Sequence, residues 1–380
     1  MKDQQGERLY EPEKLKQLCD RAEHGIARRE ALREAIAQAD AHNDTPFRIY
    51  FRLELCQESN FYGDSLDMMV IFPEALAIAD RYPDTPCTRY NNRIFQNCMG
   101  HILWVYKWIL SCCDEFYQIP MADCEKFFED FKRRSLAYGF NLRAYYLYRY
   151  YFYNSMDLEE EARAAFYAYE SLSRDSNCDC KACERNVSVN FYLDMDDWEK
   201  AKELAADIEN HSLRCGHDRM AAWLRLQRHY MNYYLSSQRR NFAEGEKYCK
   251  LIERHMISAI EYQEWDSFVY CYAHTNLGKA LQIYKNHWKD WEKERNPSSE
   301  YYSCKNIMRF FKKLGEVRKR KTVKLQMEPS FPLYQENGQY EINGLYQYYY
   351  NRARKVAELF DARNGTDCFC HWLERAAEEG

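Results

Sequence analysis

Four cysteines carry the clearest chemical pattern in the sequence: Cys178, Cys180 and Cys183, then Cys215, which is followed by Gly216 and His217. Cys180 and Cys183 have the C-x-x-C spacing that lets two thiolates share one metal ion. They fall where a helix is expected to begin, and the positive end of a helix favours thiolate over thiol. An antiparallel helix pair between them and Cys215 would return the chain to its starting end. Cys180, Cys183 and Cys215, with His217 or Cys178 as fourth ligand, would then form a closed tetrahedral site in which zinc is structural. The same cysteines are also readable as reduced thiols in a core, or as a regulatory disulfide.

Other constellations are weaker. Cys368, Cys370 and His371 are too close in sequence to face one ion from a helix, where neighbouring residues diverge. Trp104 and Trp108 share one helix face with Lys107 beside them, which suits core packing or a cation–π contact. Six tyrosines crowd the stretch 145–153, too many for one buried stripe. Tyr146, Tyr150 and Tyr153 share a face, whereas Tyr145, Tyr148 and Tyr151 project elsewhere and are candidates for a binding groove. Tyrosine suits that task, offering contact area with a polar tip and little entropy to lose. Asn190, Arg225 and Asn232, from helices that follow, are further binding candidates. Seven basic residues fall between Lys312 and Lys324, read as a solvated face or a seat for an acidic partner. Phosphate-binding glycine loops, G-x-S-x-G and H-E-x-x-H are absent, which disfavours an enzyme.

These residues need elements to position them. The chain has 380 residues with 13 Gly and 9 Pro, few enough turn-makers to argue against disorder and many-stranded folds. Thirty-three Tyr give it a large core despite a mean hydropathy of −0.75, because a tyrosine ring buries readily. A net charge of −5 gives no general attraction to nucleic acid. The most apolar stretch, 101–113, is interrupted by Lys107 and too short to span a bilayer, so no membrane partner is expected. The first residues hold no apolar core for a signal peptide, and sixteen cysteines without one indicate reduced thiols in a cytoplasmic protein.

Apolar residues recur at three- and four-residue spacing between short polar breaks, the pattern of an all-α fold. Helices are expected over 11–40, 45–58, 64–81, 89–113 and 121–138, and the pattern then becomes repetitive. Tyr153 and Ala162 recur 39 residues later as Tyr192 and Ala201. In both copies an aspartate at the break can cap the second helix. A looser copy runs over 222–256, with Gly245, Cys249 and Ile252 at packing positions. A single helix is expected over 267–288 with Gly278 mid-helix. After it come a helix at 299–315, a long irregular connection at 321–340, and a closing pair at 341–361 and 367–378, in which Gly365 ends one helix and Asp367 caps the next. Three regions follow: N-terminal hairpins over 1–140, repeats over 141–290 and a capping region over 291–380.

Paired helices with these large and small positions resemble the tetratricopeptide repeat, in degenerate form. The phrases ILWVYKWIL (102–110), CKACERNVSVNFYL (180–193) with Cys215, and FDARNGT (360–366) resemble a group of mostly uncharacterised tetratricopeptide-repeat proteins of Gram-positive bacteria. That resemblance implies a right-handed α-solenoid and no established catalytic activity. One hairpin cannot bury its apolar face alone, so hairpins stack and leave an inner wall. The expected function is a scaffold that binds a peptide or partner protein in that concave groove. A peptide-sensing receptor that changes curvature, and an enzyme with an unrecognised site, are the alternatives.

Overall fold

The computed structural model describes residues 10–88, 95–216, 218–255, 265–319 and 321–379. It divides into two compact units, Met1–Cys178 and Asp179–Gly380, parting inside the expected repeat stretch 141–290. Among the described residues seventeen α-helices account for nearly all regular structure, and none is long and apolar enough to cross a membrane.

The first unit contains α1 (Pro12–Arg21), α2 (Ile26–Ala41), α3 (Thr45–Tyr62), α4 (Met68–Arg81), α5 (Cys98–Glu115), α6 (Met121–Tyr138), α7 (Arg143–Asn154) and α8 (Glu159–Ser171). Each helix packs on the next from α1 to α8, and α3 also packs on α5 and α5 on α7. Buried ion pairs hold the first hairpin. Arg28 on α2 lies 3.0 Å from Glu54 and 3.3 Å from Glu58 on α3, all three nearly inaccessible. Arg52 reaches back to Asp40 at 2.8 Å and forward to Glu74 on α4 at 2.9 Å.

The second unit contains α9 (Lys181–Asp194), α10 (Trp198–Glu209), α11 (Ala221–Leu235), α12 (Phe242–His255), α13 (Trp265–Thr275), α14 (Leu277–Glu292), α15 (Pro297–Val317), α16 (Ile342–Asn364) and α17 (Cys368–Glu379). Here α9 pairs with α10, α11 with α12, α13 with α14 and α15 with α16. The first helices also meet one another, α9 on α11 and α13 on α15.

One local rule recurs in the helix pairs α7–α8, α9–α10, α11–α12 and α13–α14. The fourth residue of each second helix is small and buried: Ala162, Ala201, Gly245 and Ala280. In each, the residue four positions on is also buried, as Phe166, Ala205, Cys249 and Tyr284, so one stripe of each second helix faces inward. Gly245 is tight: a Cβ there would sit 2.6 Å from the buried Leu235 side chain of α11. The turns repeat as well. Asp157 and Asp196, 39 residues apart, both adopt φ near 60°. After each, the next backbone N–H reaches back to a carbonyl five residues earlier, Leu158 to Tyr153 and Asp197 to Tyr192.

Five expectations change. The 11–40 helix breaks in two at Gly25, whose φ of 97° a side chain would strain. Asp197 caps α10 as expected, accepting from the Lys200 N–H at 3.0 Å, but Asp157 caps nothing and occupies the left-handed turn position instead. The 267–288 segment is two helices, because Asn276 accepts from the Lys279 N–H and starts α14. Gly278 therefore lies in a first turn, and a Cβ there meets nothing closer than 3.6 Å. The 321–340 connection is pinned at both ends by two short antiparallel strands, β1 (Thr322–Lys324) and β2 (Gln339–Glu341), with Val323 opposite Tyr340. Finally, Gly365 ends α16 in the left-handed conformation as expected, but Asp361, rather than Asp367, holds the start of α17. Its carboxylate accepts from the Phe369 and Cys370 N–H groups at 3.0 and 2.9 Å.

Candidate functional site

The cysteine pattern becomes a cluster in the second unit. Cys180 is the N-cap of α9, and its Sγ accepts from the Cys183 N–H at 3.3 Å, which turns both sulfurs toward the helix start. The α10–α11 connection delivers the third. Asn210 accepts from the Ser212 N–H, and Leu213 donates to Asp207 across a left-handed His211. This folds the connection back so that Cys215 is buried, with its Sγ 4.0 Å from Cys183 Sγ. The Sγ atoms of Cys180, Cys183 and Cys215 all lie within 4.8 Å of one another, and the three could hold a metal ion.

Packing around the cluster is firm. Ala182, Ala222 and Leu226 are fully or nearly fully buried beside it. Asn186, wholly inaccessible, donates to the Ala182 carbonyl and, at 2.9 Å, to the Ala222 carbonyl, tying the start of α9 to the start of α11. As a thiol, Cys183 resists ionisation. Cys180 and Cys215 push the Cys183 thiol far up and burial adds to this, while the Arg225 charge works against it.

Among the described residues, the group consists of these three cysteines. Cys178 ends the first unit, where its Sγ accepts from the Asp175 N–H at 3.3 Å and faces the Asp175 carboxylate at 3.6 Å. His217 lies outside the described residues. Cys368 and Cys370 lie at the start of α17 beside Asp361, and among the described residues they form no group with metal-binding geometry.

Tyr145 and Tyr148 are buried in the first unit, at 7 and 8% exposure. The Tyr145 hydroxyl accepts from Arg149 Nε and donates to Glu129, so its polar tip is already engaged. Tyr151 is half-buried, edge-on to Tyr148. In the second unit Asn190 donates to Asp194 at 2.9 Å, and Arg225 is exposed one turn beyond the start of α11. Lys107 and Trp104 realise the cation–π contact: the ammonium is 3.4 Å from the indole centroid, donates to the Asn177 carbonyl and is 1% exposed. Within the basic run, Lys312 donates to the Ala377 and Glu378 carbonyls at the end of α17, a structural use of charge at a helix C-terminus.

Asn232, alone among the six binding candidates, lines a polar cavity of about 660 Å³ bounded by α11, α13, α14 and α15. Arg228, Asp266, Tyr270, Lys305 and Arg309 line it too. Among the described residues, the half-buried Lys305 ammonium has no carboxylate within ion-pair distance, and it rests over the Tyr302 and Tyr301 rings at 4.6 and 5.0 Å. Burial, then the Arg309 charge, brings its pKa down to about 7. Arg309 is 8% exposed. Its Nη2 donates to Glu379 at 2.9 Å and its guanidinium lies over the Tyr270 ring, but its buried Nε has no acceptor. Asp266 is buried, accepts from Asn306 at 2.8 Å, and has its pKa raised by lost hydration. Lost hydration also pulls His229 on α11 well below the usual imidazole range, with Arg228 and Arg225 adding to it, although the side chain is only half-buried. Groups that water can reach but that protein surrounds are characteristic of a recess.

Sequence reasoning missed Lys305 and Arg309, which look like ordinary members of an amphipathic helix. Only the neighbours brought in from α11 and α13 make them cavity residues. No protein-family model, no curated protein and no solved structure matches the chain.

Proposed function

We propose that the helix pairs of each unit stack as degenerate tetratricopeptide-like hairpins, and that the protein is a non-enzymatic scaffold binding a peptide or partner protein. Support for the stacking comes from the buried small residue at the fourth position of four second helices, together with first helices that pack on first helices. Such an arrangement leaves one face of each hairpin for recognition. A cytoplasmic setting suits sixteen cysteines that are all free thiols.

The observation that carries the binding reading is the second-unit cavity with its unpaired Lys305 ammonium and unfilled Arg309 Nε. A cavity of this size falls in the roughly 300–1,000 Å³ range of ligand-binding clefts. Its polar lining suits main-chain and carboxylate groups of an extended peptide better than an apolar ligand. The lining holds the acidic Asp266, Asp290 and Glu294 as well as the basic Arg228, Lys305 and Arg309, so a single carboxylate at the Lys305 ammonium fits where a dianion would be repelled.

The test is selection from a display library of random dodecapeptides on the purified chain, with binders measured by fluorescence anisotropy. Enriched peptides should carry an acidic or C-terminal carboxylate. They should lose tenfold or more in affinity on Lys305→Met and on Asn232→Ala. A library without enrichment, or binders indifferent to both substitutions, would overturn the reading.

A further inference from the structure

We propose that Cys180, Cys183 and Cys215 bind one zinc ion, which clasps the start of α9 to the α10–α11 connection. The inference is independent of the peptide-binding reading and stands on the geometry of three side chains from two separate chain segments. A zinc–sulfur bond of about 2.3 Å puts the sulfurs of a tetrahedral site about 3.8 Å apart. Cys183 and Cys215 sulfurs are 4.0 Å apart without any ion, and all three sulfurs lie within 4.8 Å of one another. The adjustment needed is about 1 Å or less at the tips of the side chains.

The surroundings favour a metal over an accidental meeting of thiols. Two of the sulfurs sit at the N-cap and third residue of α9, where unsatisfied N–H groups and the helix dipole stabilise negative charge. The exposed Arg225 guanidinium adds a positive charge close enough to act on Cys183. Three thiolates bound to a divalent cation carry one net negative charge, and the helix start and Arg225 both oppose it. Asn186 holds α9 against α11 from beneath, so the cluster is supported by buried hydrogen bonds and does not rest on loop conformation alone.

Thiolate ligands select soft or borderline ions such as zinc over calcium or magnesium. The fourth position falls to solvent. Cys180 and Cys183 are half-exposed, which leaves a route for the ion to enter. Binding is a ligand exchange without electron transfer: each thiol loses its proton to solvent as its sulfur bonds the metal.

The experiment uses the untagged full-length chain, purified under reducing conditions. Elemental analysis should find about one zinc per chain. Titration of chelator-stripped protein with Co²⁺ should give the thiolate charge-transfer and ligand-field bands of a tetrahedral sulfur-rich site, and stoichiometric Zn²⁺ should bleach them. Cys183→Ser and Cys215→Ser should each lower bound zinc at least tenfold, while Cys87→Ser, outside the group, should retain it. Because the cobalt spectrum is read on the unsubstituted chain, a poorly folding variant does not blunt the test. The proposal is overturned by stripped protein that gives no cobalt bands, by bands that stoichiometric Zn²⁺ fails to bleach, or by an intact mass two hydrogens short that maps to a Cys183–Cys215 disulfide in protein handled without oxidant.

Discussion

Replacing Lys305 with Met should make the ligand-free protein more stable. The ammonium loses hydration in the cavity wall and the Arg309 charge adds to this, while Asp266 and Glu379 oppose it only from beyond ion-pair distance, so its pKa is down to about 7 from the 10.5 of an ordinary lysine. At about 1.4 kcal/mol per pH unit this gap corresponds to roughly 4–5 kcal/mol of unfavourable burial of charge. The side chain is only half-buried, and water at the cavity mouth reduces the figure to about 2–4 kcal/mol. The direction with pH follows from linkage. A base with a lowered folded pKa penalises the folded state fully below that pKa, and the penalty fades as pH rises from about 7 toward 10.5, where both states become neutral. Methionine keeps much of the aliphatic stem and carries no charge. For a unit of about 200 residues each kcal/mol moves Tm by about 2–4 °C, so the variant should melt roughly 4–16 °C higher at pH 6 in the transition that reports the second unit. The gain should shrink steadily by pH 9. Differential scanning calorimetry at both pH values reads this directly. An unchanged or lower Tm at pH 6 would refute the argument, because it would mean that the ammonium is already satisfied without a ligand.

Arg28→Met should destabilise the first unit by about 3–5 kcal/mol at pH 7.5, since Glu54 and Glu58 would lose their buried cation. Burial already pushes the Glu54 carboxyl up, against the pull of Arg28. The variant should raise it further, and the measured loss should then diminish as pH falls toward 5; chemical denaturation at the two pH values checks this. Gly365→Ala should cost about 1 kcal/mol by forcing a side chain into the left-handed conformation. Gly278→Ala should add up to about 0.5–1 kcal/mol, because its position is helical and open; a thermal melt of each variant separates the two outcomes. Gly245→Val should lower stability by about 1–3 kcal/mol through collision with Leu235, measured in the same way.

The helical class was legible because apolar spacing repeats over every long segment, and the 39-residue offset of Tyr153 and Ala162 reappears as two turns with matching geometry. Breaks were harder to read. Gly25 and Asn276 each interrupt a stretch whose apolar pattern runs on without a pause, and one residue of turn chemistry decides the matter against twenty residues of periodicity. The misplacement of Gly278 hid a further small packing residue, Ala280. The strand pair escaped notice because three residues per strand carry no alternation to detect. Asp361 shows the same limit from the other side: the capping carboxylate of α17 comes from the preceding helix, seven residues before α17 begins.

The candidate sites divide along the same physical line. The cysteine cluster could be inferred from sequence because C-x-x-C at a helix start fixes two sulfurs locally, and an antiparallel pair must return the third close by. The cavity could not, because its distinguishing property is that, among the described residues, Lys305 has no carboxylate at ion-pair distance and Arg309 Nε has no acceptor. Elsewhere among the described residues, such buried or half-buried charges as Arg28 and Arg352 are paired, Arg28 with two glutamates and Arg352 with Glu292 and Glu300. Against that background an ammonium held in a recess over two tyrosine rings, next to an arginine with one unused donor, is a cost with no structural return. Natural chains keep such groups where function requires them. A carboxylate-bearing ligand would restore the pairing found elsewhere in the fold, and its affinity should then fall as pH rises through about 7 and Lys305 gives up its charge. A binder whose affinity is flat from pH 6 to 8.5 would have to be held by something other than this ammonium.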